Sequence, residues 1–180
     1  MKPNRATIIV SVMIIFISLG FKNPGEVNAN KRNHLFMIER NRDRDIIQYD
    51  VNIDEAGNLN LADPIIAYWV RQSINHQREP LTTIQKRLSY GIRVTDRQPD
   101  SQHICSFRFV SVPDRIFNLV RYGDTFSVLI ISGGREIIVE KIYVEIIGGS
   151  FRLPGVAKVE LHGTEAATGN RVMEIITPLS

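Results

Sequence analysis

The 180-residue sequence has one cysteine, Cys105, and one tryptophan, Trp69. A lone thiol excludes a disulfide framework within the chain and any cysteine-based zinc cluster. With 12 Gly and 8 Pro, there is no low-complexity tract long enough to act as a linker. Hydrolase fingerprints are missing: no Gly-x-Ser-x-Gly, His-Glu-x-x-His or Ser-x-x-Lys occurs. No Asn-x-Ser/Thr acceptor occurs either, so sequon-directed glycosylation is not expected. His34, His76, His103 and His162 show no i, i+4 or His-x-His spacing, and no metal or other cofactor is expected. What remains is ordinary globular composition, 43% hydrophobic and 23% charged, which excludes disorder, collagen and coiled coil.

The first thirty residues read as a targeting segment. Lys2 and Arg5 form a positive n-region, and no charge occurs from Ala6 through Phe21. Pro24-Gly25 then breaks any helix, and Val27-Asn28-Ala29 supplies modest side chains where a signal peptidase reads. This pattern predicts a secretory signal peptide over residues 1–29, cleaved after Ala29, and an exported, periplasmic or extracellular product. The rival is an uncleaved anchor. A spanning helix needs about 20 apolar residues, and Thr7, Ser11, Ser18 and Gly20 dilute a stretch that is already short. Residues 1–29 carry a net charge of +2, so the whole-chain +3 falls to +1 after cleavage. Nucleic-acid binding, which needs a basic face, is not expected, nor is a stable membrane span after cleavage. Residues 30–180 are enough for one domain with its own core.

Strand signals dominate that region. Leu35–Ile38 and Ile46–Val51 flank a charged tip at residues 40–45, which predicts a hairpin. Asp54-Glu55-Ala56-Gly57-Asn58 is turn chemistry. Pro64-Ile65-Ile66-Ala67-Tyr68-Trp69-Val70 is apolar on both faces, as a central strand would be. One helix is predicted, with Pro80 at its first position, Leu81, Ile84 and Leu88 on one face, and Gly91 closing it in a left-handed conformation. From Ile92 onward the reading is β. Thr125–Ser132 and Arg135–Ile147 are joined by Gly133-Gly134, a two-residue hairpin signal. The fold class predicted is mainly β, an antiparallel β-sandwich or barrel with one short α-helix.

Few residues carry a chemical signal. Cys105 shares a strand face with His103, which could lower its pKa, but Phe107 and Phe109 on the same face place it in an apolar interior where a thiol is inert. Asn52 to Asp63 resembles a calcium loop, yet Ala56 fails at the fifth position and Asp63 replaces the Glu of the twelfth, so a Gly-containing turn is the better reading. The cluster singled out for ligand binding is Trp69, Arg71 and Tyr90. Aromatic rings beside a guanidinium can line a pocket for a flat or anionic ligand, through stacking and forked hydrogen bonds. The competing reading packs Trp69 into the core and leaves Arg71 as a solubilising strand end.

Several phrases together resemble a known family. They are Leu35-Phe36-Met37-Ile38-Glu39-Arg40, Tyr49-Asp50-Val51-Asn52, and Pro64 through Val70. Pro80-Leu81 leading through Gln85 to Tyr90-Gly91, Val159-Glu160-Leu161-His162-Gly163, Thr168-Gly169 and Glu174-Ile175 complete the set. The pattern is similar to the domain-of-unknown-function family numbered 4833, over roughly residues 34–178. Ser89 stands where that family would carry Ala. The resemblance brings no activity, so no catalytic residue follows from it.

The expectation is therefore an exported, non-enzymatic module that binds a small ligand or an envelope protein. The alternative is a hydrolase or thiol-dependent enzyme with a site assembled from separate strands. A third reading, a structural envelope protein, would use the long strand Arg135–Ile147 as a self-associating edge.

Overall fold

The structure is a computed structural model describing residues 33–97, 102–149 and 154–176; residues 1–29, over which a signal peptide is predicted, lie outside them. These residues form eleven strands and one helix. The strands are β1 (His34–Arg40), β2 (Ile46–Val51), β3 (Ile65–Arg71), β4 (Gln77–Pro80), β5 (Ile92–Asp96), β6 (His103–Phe109), β7 (Val112–Tyr122), β8 (Thr125–Ser132), β9 (Arg135–Gly149), β10 (Pro154–Glu165) and β11 (Arg171–Ile176). The helix, α1, is Thr83–Leu88. Among the described residues no helix is long and apolar enough to cross a membrane.

All strands join one sheet, in the order β4-β3-β2-β1-β9-β8-β7-β6-β5, with β10 on β9 and β11 on β10. The fold is mainly β, as the sequence predicts. Its form is a single curled sheet, a half-barrel, and the sheet is mixed because β1 runs parallel to β9. Ring contacts show the curl. Phe36 on β1 stacks on Tyr49 of β2 at 4.5 Å, and Tyr49 meets Phe109 of β6 at 5.6 Å. Phe109 then meets Phe117 of β7 at 5.1 Å. In sheet order β2 and β6 are separated by four strands, so only a concave face brings these rings together. Alternation fills that face: Ile47, Tyr49 and Val51 from β2, Ile65 and Trp69 from β3, and Phe107 and Phe109 from β6 are all buried.

The hairpin of β8 and β9 turns at Gly133 (φ 56°) and Gly134 (φ 77°), and a type I′ turn requires both to be positive. β9 is not an edge, contrary to the expectation for Arg135–Ile147. At 15 residues it outreaches any single neighbour: Arg135–Ile138 pair with β8, Lys141–Val144 pair with β1, and β10 lines the opposite side. The edges are β4, β5 and β11.

The helix also differs from its prediction. Pro80 ends β4, opposite Tyr68, and the helix begins after Thr82 with a capping box. Gln85 N–H donates to Thr82 Oγ1 (3.3 Å), and Thr82 N–H donates to Gln85 Oε1 (2.9 Å). Of the predicted apolar face only Leu81 is buried; Ile84 and Leu88 are more than half exposed, because two turns are too short to lay that face on the sheet. Gly91 is not left-handed. A Cβ there would sit 1.8 Å from the Lys86 carbonyl oxygen, so the position demands a hydrogen for steric reasons.

Candidate functional site

Sheet curl sets two edges near one another. β4 pairs with β3 only from Tyr68 to Arg71, so among the described residues Ile65–Ala67 have a strand neighbour on the β2 side alone. Among the described residues β5 has a neighbour only in β6. Between these two edges lies a cleft of about 470 Å³. Ile65–Tyr68 line one side, Tyr90, Gly91 and Ile92 another, and Leu81 with Lys86 close one end. Near the other end Arg97 Nη2 donates to the Ala62 carbonyl at 3.1 Å, tying the chain after β5 to the chain before β3. Arg78, Glu79 and Asp63 add charge at the rim.

Trp69, Arg71 and Tyr90 do meet. The Tyr90 ring stands edge-on to Trp69, with centroids 5.8 Å apart, and the Arg71 guanidinium lies 4.8 Å from the Trp69 ring centre. Their surroundings divide their roles. Tyr90 lines the cleft, whereas Trp69 is 3% exposed and does not. Arg71 Nε donates to Glu79 and its Nη1 donates to Asp45, both at 2.8 Å. Those two bonds stabilise its charged form and leave it a brace for the β3–β4 end. Trp69 Nε1 donates to Gln85 Oε1 (3.2 Å), so the capping glutamine also anchors the indole.

Arg40 completes the cluster, and sequence reading leaves it in the charged tip. Its guanidinium lies 4.5 Å from the Trp69 ring centre and donates to Tyr90 Oη at 3.0 Å. Its Nε is buried with no hydrogen-bond partner, as befits a group lying over an aromatic face. A signal was available: Phe36, Ile38 and Arg40 alternate along β1, which points Arg40 to the same face as two core residues. Behind Tyr90, the Tyr49 hydroxyl donates to the Tyr90 carbonyl (2.7 Å), and burial, then Tyr90, pushes the Tyr49 pKa well up.

On the convex face sits a second polar group. Asp50, 4% exposed, accepts from Gln48 Nε2 (2.8 Å), His34 Nδ1 (3.2 Å) and the Tyr68 hydroxyl. Burial opposes its charge, but the three donors outweigh burial and hold the carboxyl below its ordinary value. The Tyr68 hydroxyl is raised in turn, by burial first and then by Asp50.

The nucleophile candidates are committed elsewhere. Cys105 is 1% exposed, and burial pushes its thiol up to about 11. A bulge between His103 and Cys105 takes the two off the common face that simple alternation predicts. His103 Nε2 instead lies 3.1 Å from Ser106 Oγ, but Ser106 donates to Asn118 Oδ1 (2.9 Å). In the calcium-like loop Asp54 accepts from the Asn58 N–H (2.7 Å) and Asn58 Nδ2, and Asn60 Oδ1 accepts from the N–H groups of Ala62 and Asp63. These oxygens serve the turn.

The chain belongs to the family described as a domain of unknown function (DUF4833), which matches residues 36–175. No curated protein and no solved structure matches it.

Proposed function

We propose that this family member is an exported, non-enzymatic binding module whose ligand occupies the cleft between β3 and β5. Residues 1–29 act as the export signal in this reading, supported by their charged start and uncharged 16-residue stretch. The observation that carries the binding role is the cleft itself: about 470 Å³, with Tyr90 in its wall and Arg40 and Trp69 packed behind Tyr90. A concave site with an apolar wall and a few placed polar groups is the general form of a ligand pocket. Tyr90 is the contacting residue. Trp69 and Arg71 hold it from behind, Trp69 through the ring contact and Arg71 by bracing Trp69 and Glu79. The non-enzymatic part is supported by the burial of the Cys105 thiol, 1% exposed and raised by desolvation.

The test is a thermal-shift screen of anionic, aromatic and peptide compounds against the purified chain. The emission of Trp69, the chain's one tryptophan, is the second readout. At least one class should raise the melting temperature and change the emission, and Tyr90→Ala should remove both responses. No response from any class, together with no partner retained in a pull-down, refutes the reading.

A further inference from the structure

We infer that the ligand is an extended peptide of a partner protein, added as a strand to the free edge of β3; this rests on the cleft being a binding site. The backbone supports it first. Asn52 N–H donates to the Pro64 carbonyl (2.9 Å), and antiparallel bonding alternates along a strand. Ile66 therefore bonds toward β2, and Ile65 and Ala67 direct their main-chain groups toward the cleft. No strand pairs with them on that side among the described residues. Adding a strand to such an edge is an established recognition mode.

Size agrees with this edge. A three-residue strand spans about 10 Å at about 3.3 Å per residue, a length that a cleft of about 470 Å³ admits. The unpaired part of β3 is also three residues long, Ile65 to Ala67. The helix end and the Arg97–Ala62 contact bound the slot at either end, and β5 lies across it, so an added strand would extend the half-barrel toward closure.

Side chains then define the peptide. Residues opposite Ile65 and Ala67 would point to the concave side, beside Leu81, Tyr90 and Ile92, and should be apolar. The residue between them points outward beside Ile66, which is 38% exposed, and is unrestricted. Lys86, exposed at one end of the slot, suits a carboxylate on the peptide. The occupant is thus an apolar-x-apolar segment ending in an acidic group.

The probe is the acetylated pentapeptide Val-Ser-Val-Ser-Glu, titrated into the purified chain with Trp69 emission as readout. Its control carries N-methyl groups on the backbone nitrogens of both valines and of the serine between them, keeping every side chain. The peptide should bind, and N-methylation should weaken binding at least tenfold. Ala67→Pro removes one main-chain donor at the cleft and should weaken the unmodified peptide by a similar factor; if that variant does not fold, the N-methyl control still decides. Equal binding of both peptides would overturn strand addition and leave the cleft a ligand site. Binding of small anions or aromatics with no peptide response would do the same. No binding of any class would remove both the inference and the reading beneath it. A dimer that the peptide dissociates would make the occupant a second copy of this chain, overturning the assignment to a partner protein.

Discussion

Gly91→Ala tests whether the corner between α1 and β5 is packed as tightly as its geometry implies. A Cβ at Gly91 would lie 1.8 Å from the Lys86 carbonyl oxygen and 2.7 Å from its carbon, where real Cβ atoms keep at least 3.0 Å. Both obstructing atoms are backbone, so the corner must open by more than 1 Å rather than turn a side chain aside. Three hydrogen bonds hold it closed: Ser89 N–H to the Gln85 carbonyl (3.1 Å), Tyr90 N–H to the same oxygen (2.9 Å), and Val110 N–H to the Gly91 carbonyl (3.0 Å). Losing two costs about 2 kcal/mol, at about 1 kcal/mol each. Displacing Tyr90 from Trp69 costs about 0.5–1.5 kcal/mol more. The total is about 2–4 kcal/mol, a large part of a typical domain's stability.

Urea unfolding followed by Trp69 emission measures this. With a slope of about 2 kcal/mol per molar, the midpoint should fall by about 1–2 M with the slope unchanged. Gly57→Ala is the comparison. That glycine has φ +86° and nothing within 4 Å of an added Cβ, so its cost is conformational alone, about 1–2 kcal/mol. If Gly91→Ala costs less than Gly57→Ala, or under 0.5 kcal/mol, the steric reasoning at the corner fails.

Other predictions follow from single groups. Asp50 has a lowered pKa in the folded chain, so its charge contributes stability that is present above the unfolded value of about 4 and lost as pH falls through the folded value. Asp50→Asn should flatten that part of the acid stability curve and lower stability at pH 7, as read by urea midpoints from pH 7 to pH 3. A thiol held at about 11 is roughly 100-fold less ionised at pH 8 than one at the ordinary value of about 9. Cys105 should therefore label at least that much more slowly in the native state than in urea, and rapid native labelling would revive the thiol-enzyme reading. Gln85→Ala leaves Thr82 as the helix cap but removes the acceptor of both Thr82 N–H and Trp69 Nε1, and should cost about 1–2 kcal/mol with a change in native Trp69 emission. A stability loss without that emission change would separate the cap from the indole contact.

The parts legible in the sequence are those decided locally. Gly133-Gly134 names its own turn, and the alternations of β1 and β2 mark the inward side chains, whereas β3, apolar on both faces, gives no such sign. The grouping of Trp69, Arg71 and Tyr90 was legible as a set, because two of them share a strand and the third follows a helix that Gln85 pins to the indole. Arg40 was hidden by its neighbours Asn41, Arg42, Asp43 and Arg44, which make it look like part of a solvated tip although β1 alternation turns it inward. The cleft could not be read from any segment. Ile65–Ala67 and Ile92 belong to strands near opposite ends of the sheet order, and their approach depends on how far the whole sheet curls. Open sheets of about ten strands tend to curl or split, but the amount of curl here is set by contacts such as Tyr49 on Phe109, between strands that share no ladder. The unpaired edge at Ile65–Ala67 has an equally non-local origin. β4 carries Pro80 opposite Tyr68, and after that residue the chain leaves for the Thr82 cap instead of continuing beside β3. The helix that ends the β4 ladder is therefore also what leaves the three residues of β3 open to the cleft.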